Sequence, residues 1–188
     1  MIDNETGDKL YVKDDKQIMV FDLSNNCSFV RKFGLKILQK PYGLTLNKEG
    51  HLIVVDTYAR SPVIHIFNKA TGELMKSSPY QPAIFEHAKS SVLNSLYYDN
   101  KADLIPFDRS KIRFIDCFQN YIYASDLGRS IVFKTTLDGK TELAFGTFGN
   151  TPGQMNEPSG IHVDYDGKSV LVGDSKNNRL QVEFYLII

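Results

Sequence analysis

The sequence predicts an all-β chain of repeated antiparallel meanders, and three observations carry that reading. Short apolar stretches alternate with polar residues at the two-residue period of a half-buried strand, as in Ile161 and Val163 against His162 and Asp164. Turn chemistry separates these stretches at short intervals, and Asp166-Gly167 readily supplies the positive φ that a hairpin needs. The same strand–turn–strand unit then recurs. Pro41-Tyr42-Gly43-Leu44-Thr45-Leu46-Asn47-Lys48-Glu49-Gly50 matches residues 158–167 in its Pro, its Gly, its alternating apolar positions and its turn Gly. Units of ~40–50 residues that each hold several strands predict propeller blades.

Each element follows in order. Blade one covers 8–34, where Leu10-Tyr11-Val12-Lys13-Asp14 is a weak copy of the unit's second strand. Ile18 to Phe21 is its next strand and Phe29 to Gly34 ends it. Blade two covers 35–78, with Leu52-Ile53-Val54-Val55-Asp56 as second strand, Val63 to Phe67 as third and Thr71-Gly72-Glu73 as a turn. Residues 79–108 read as an insertion, because the repeat Asp at 14, 56, 126 and 174 leaves its longest interval there. Phe85, Ala88, Val92 and Leu96 are spaced for one helix inside it; a degenerate outer strand with a long loop fits equally well. Blade three covers 109–149, with strands at Ile112–Cys117, Tyr121–Ser125, Ile131–Thr135 and Leu143–Phe145. Blade four covers 150–188 and enters through the Gly-rich Phe145-Gly146-Thr147-Phe148-Gly149 crossing. Each blade is expected to be a four-stranded meander.

Residues 153–167, GQMNEPSGIHVDYDG, followed by VLVGDSKNNRLQV, resemble an NHL repeat, the blade unit of six-bladed propellers. The other three copies keep the strand pattern and the Asp. The resemblance implies an NHL-type β-propeller, similar to the C-terminal domain of tripartite-motif ubiquitin ligases. Four copies against six, and an uncharged apolar end at Tyr185-Leu186-Ile187-Ile188, lead us to expect part of a larger propeller. By the same resemblance the chain is a substrate-recruiting protein-binding module. Single-stranded RNA binding by the same face is the alternative, and a zinc-dependent lyase is the third reading. Two cysteines cannot build the RING and B-box zinc modules, so no ligase chemistry is expected of this chain.

Bulk properties narrow the function classes. The 188 residues carry 22 Lys+Arg against 22 Asp+Glu, a formal net charge of zero that announces neither nucleic acid nor an acidic tail. No apolar run approaches the ~20 residues of a membrane helix, and the first residues lack the pattern of a secretory signal. Cys27 and Cys117, in separate copies, suit a reduced cytoplasmic protein. No cofactor, membrane or small-molecule substrate is expected.

In an up-and-down meander, the loop entering the first strand and the loop after the second lie at the same end. One face therefore collects Lys40, Tyr42, Tyr58, Arg60, Arg129, Asn156, Lys176, Asn177 and Arg179. Two roles suit the three arginines: pairing with the repeat Asp residues to pin each turn, or binding phosphates beside stacking tyrosines. Asp14, Asp56, Asp126 and Asp174 read as turn supports that accept backbone N–H groups. No metal site is expected. Only His162 falls on an innermost strand, whereas His51, His65 and His87 are scattered over a turn, a third strand and the insertion.

Overall fold

The computed structural model describes residues 1–3, 6–58, 62–81, 110–164 and 166–184. Four antiparallel sheets follow one another along the chain, and consecutive strands pair within each. The first sheet contains β1 (Lys9–Asp14), β2 (Gln17–Asp22) and β3 (Ser28–Phe33). The second contains β4 (Pro41–Leu46), β5 (His51–Asp56), β6 (Val63–Asn68) and β7 (Leu74–Pro79). The third contains β8 (Ile112–Phe118), β9 (Tyr121–Asp126), β10 (Ile131–Thr136) and β11 (Thr141–Phe145). Short strands β12 (Thr147–Phe148) and β13 (Gln154–Met155) then pair in parallel at the crossing. The fourth sheet contains β14 (Pro158–Val163), β15 (Ser169–Asp174) and β16 (Arg179–Phe184), with a single 3-10 turn at Ser175–Asn177.

Among the described residues the second and third sheets are four-stranded meanders, and the first and fourth have three strands each. In the first sheet β1 is the copy of the unit's second strand, and Met1–Asp3 lie beside it. Ile2 bridges Leu10, while the Asp3 and Tyr11 amides donate to the Lys9 and Met1 carbonyls at 2.8 Å. The helix expected at 84–98 lies outside the described residues, as do Tyr185 to Ile188.

The core lies between sheets rather than within one. Leu52 and Val54 of β5 pack with Phe67 against Tyr11, Ile18 and Val20 of the first sheet. Ile53 and Val55, on the opposite face of β5, pack against Ile115, Ile122 and Phe133 of the third. A third cluster joins Tyr123 and Val132 to Met155, Val163, Val170 and Val172. Sheets on both sides explain why β5 reads as a continuous apolar run instead of alternating: either face is covered. Each such side chain contributes about 1.5–3 kcal/mol by burial. The first and fourth sheets have one packed face each, and Phe29, Val30, Leu180 and Val182 remain exposed on them.

The first strands of successive sheets form the hub. β8 runs beside β4 on one side and β14 on the other. Gly43 permits the β4–β8 approach, because a Cβ there would stand 2.8 Å from Ile115 Cγ2. Asp116 of β8 ties the three strands together. Its Oδ2 accepts from the Val163 amide at 3.0 Å and His162 Nδ1 at 2.9 Å; its Oδ1 accepts from Thr45 Oγ1 at 3.3 Å and the Cys117 amide at 2.8 Å. At the hairpin turns after β4 and β14, Gly50 and Gly167 take φ of +82° and +71°, conformations that favour glycine.

Candidate functional site

The last residue of a second strand anchors each loop at one end of the hub. Asp56 Oδ1 accepts from the Lys40 and Tyr58 amides at 2.9 and 3.0 Å, and its Oδ2 accepts from the Gln39 amide at 2.5 Å. The loop entering β4 and the loop leaving β5 are thereby held to one buried carboxylate. Asp126 repeats the arrangement. Lys111, Gly128 and Arg129 donate backbone N–H to Oδ1 at 2.8, 3.0 and 3.2 Å, and Ser110 Oγ and Arg129 Nε reach Oδ2 at 2.7 Å. Asp174 accepts from the Asn156 amide at 2.7 Å, Asn177 Nδ2 and Arg179 Nε at 2.8 Å, and Gln181 Nε2 at 3.1 Å.

Burial alone would raise the Asp174 pKa. The Asn156 amide, Asn177 and the Arg179 cation outweigh that effect and hold it below the ordinary carboxylate range. Asp14 does not share this arrangement. It is exposed, and among the described residues it accepts from Gln17 Nε2 alone, at 3.1 Å. Its role as a turn support is therefore not the one its three counterparts play.

The arginines are spent on these turns. Arg129 pairs with Asp126 and is almost wholly buried. Every nitrogen of Arg179 donates: Nε to Asp174, Nη1 to the Asn150 carbonyl, and Nη2 to the Thr151 and Gln154 carbonyls at 2.8–2.9 Å. Arg60 lies outside the described residues. Asn156 and Asn177 are likewise held by main-chain and Asp174 contacts, Asn177 Nδ2 also donating to the Gly149 carbonyl at 2.8 Å. Lys176 is exposed, and Tyr58 presents 70% of its surface to solvent.

Tyr42 gathers charge instead. Arg113 Cζ, Lys13 Nζ and Lys40 Nζ stand 5.0, 5.1 and 5.9 Å from its ring centroid. The sequence reading missed Lys13 and Arg113. Arg113 follows the buried Ile112 at the head of β8 just as Tyr42 follows the buried Pro41 at the head of β4, so superposing the first strands of the copies would have found it.

Nucleophilic and metal chemistry find little footing. Burial pushes the Cys117 thiol up to about 11, and its Sγ donates to the Leu46 carbonyl at 2.9 Å. His51 contacts Asn47, His65 contacts Ser77 and His162 contacts Asp116; His87 lies outside the described residues. Among the described residues no three His, Cys, Asp or Glu side chains converge on one point. Nor is any helix there long and apolar enough to cross a membrane.

Sheets packed face to face around a shared row of first strands are blades of a β-propeller, here about four of them. Comparison with known proteins agrees. The model of the NHL repeat matches residues 155–182, from β13 into β16. No match was found among curated protein sequences. Among solved structures, a protein of unknown function from Bacteroides caccae superposes with a TM-score of 0.56 at 10% identity, over 94% of this chain and 57% of that one. This chain thus spans little more than half the length of that relative. Hydrazine synthase of Kuenenia stuttgartiensis gives 0.58 at 12% identity, over 100% of this chain and 71% of that one. Glutaminyl cyclase of Myxococcus xanthus gives 0.54 at 12%, over 96% and 71%. At these identities the likeness is one of fold.

Proposed function

We propose that this propeller is a protein-interaction module that binds its partner through the loop face around Tyr42, Tyr58 and Lys176. The observation that carries the reading is the fixing of the loops. Buried carboxylates at Asp56, Asp126 and Asp174 hold backbone on both sides of each loop pair, while Tyr58 and Lys176 stay exposed. A loop surface ordered in advance loses little entropy on binding, and an exposed tyrosine supplies contact area with few rotamers to freeze. Arg129 and Arg179 are committed to aspartates, which favours protein over single-stranded RNA as ligand. In the setting of a tripartite-motif-like ligase, such a face would recruit the substrate for a catalytic module carried elsewhere.

Quantitative affinity capture from cell extract tests the reading. Wild-type protein is compared with Tyr58→Ala, Lys176→Ala and, at the opposite end of the propeller, Lys168→Ala. Specific proteins whose recovery falls with the first two variants but not the third, and survives nuclease, are the expected result. Equal recovery with all three variants refutes the assignment of the face, and loss on nuclease treatment moves it to RNA.

A further inference from the structure

We infer that the cation cluster over Tyr42 is a binding subsite for carboxylate side chains, and that the partner reaches it with an acidic peptide segment. The inference rests on the protein-binding reading above and names the chemistry of one part of that face. Some cations elsewhere on the molecule have carboxylate partners, such as Lys69 with Asp3, Lys134 with Glu142 and Lys168 with Asp166. Lys13, Lys40 and Arg113 have none among the described residues, although all three approach one ring within 6 Å. Asp56, beside Lys40, is occupied by three backbone N–H groups, and Asp14, next to Lys13 in the chain, accepts from Gln17 Nε2 and forms no ion pair with the cluster.

Tyr42 accounts for the convergence but not for the charge. Its π-face attracts each cation, and the ring is neutral, so no described carboxylate compensates the three positive charges gathered over it. The three come from separate elements: Lys13 from β1, Lys40 from the loop entering β4 and Arg113 from β8. An anionic ligand would relieve their repulsion and bridge the first three sheets. Arg113 offers a planar fork suited to a carboxylate, and the two lysines offer compact point charges on either side. An extended peptide with Asp or Glu at alternate positions places successive carboxylates on one side about 7 Å apart, so that more than one can reach the cluster.

The test uses the whole chain and a fluorescein-labelled decapeptide of alternating Glu and Ser, followed by fluorescence anisotropy at low and physiological salt. The expected result is saturable binding that weakens with salt and is lost when Gln replaces Glu. Arg113→Ala should weaken it about fivefold, and Lys13→Ala or Lys40→Ala about threefold each, the upper range for exposed charge pairs. Lys168→Ala should leave it unchanged, and circular dichroism should show each variant folded. Binding equally sensitive to Lys168→Ala overturns the subsite, as does the absence of binding at low salt. Tighter binding of a uridine decanucleotide than of the peptide overturns the carboxylate assignment. If the peptide fails while capture of proteins still depends on Tyr58, the face stands and only its acidic chemistry falls. If both fail, the interaction reading falls with it.

Discussion

The turn at Asp126 and the turn at Asp14 come from the same repeat unit and behave as opposites. Asp126 is fully buried and accepts from three backbone amides, a serine hydroxyl and a guanidinium. Asp14 lies in water with one glutamine contact. The two residues do not differ; their surroundings do. The loop entering β8 brings Ser110 and Lys111 to Asp126, whereas among the described residues Gln17 alone donates to Asp14. A repeat residue therefore acquires its role from the donors that its neighbours bring to it.

The largest expected effect follows from that contrast. Asp126→Ala should lower unfolding stability by about 3–5 kcal/mol, because it leaves the buried Arg129 cation and several amides without their acceptor. Urea denaturation reads it; a loss under about 1 kcal/mol would mean that the loops are held by something other than the carboxylate. Chemistry at the cysteines should show a difference of similar size. Cys27, in the exposed turn before β3, should react with iodoacetamide in the folded protein at pH 8. Cys117, with its thiol raised to about 11, should react about a hundredfold more slowly when folded than in urea, where a thiol returns to about 8.5. Equal labelling of both cysteines in the native state would contradict the burial of the hub.

A smaller effect should appear in acid. The Asp174 carboxyl lies below its ordinary value in the folded protein, so its stabilisation is complete above the unfolded value near ~4 and is lost as pH falls through the lower folded value. The urea midpoint should drop across that window, and Asp174→Ala should flatten the drop. An unchanged pH profile in the variant would assign the acid sensitivity to other carboxylates. Smallest of all, Asp14→Ala should change stability by no more than about 0.5 kcal/mol, the range of an exposed side chain away from special features. A loss as large as that of Asp126→Ala would erase the comparison.

Much of the architecture was legible because strands leave a period-two signature and turns leave Gly and Asp. The β5 and β9 runs, the Asp-Gly turns and the repeat Asp could all be read directly. Strand number per sheet could not, since it depends on which segments find a partner rather than on their own pattern. The candidate face was half legible. Backbone connectivity placed Lys40, Tyr42, Tyr58, Asn156 and Lys176 at one end, whereas Arg129 and Arg179 had two readings in sequence, with pairing to the repeat Asp the favoured one. Arg113, 71 residues from Tyr42, was legible only through its equivalent repeat position, and Lys13, 29 residues away on a second strand, had no such signal.

By itself the sequence determined the strands, the turns and the repeat, since these follow from side-chain period and backbone preference within a few residues. It also determined which residues stand at the loop end, because up-and-down connectivity leaves them nowhere else. Tertiary structure decided which charges are neutralised. Blade packing brings Arg129 and Arg179 onto buried carboxylates, and it draws Lys13, Lys40 and Arg113 around one tyrosine with no ion pair to a described carboxylate. The physical reason is range: propensity acts along the chain, whereas an ion pair depends on where separate segments meet in space.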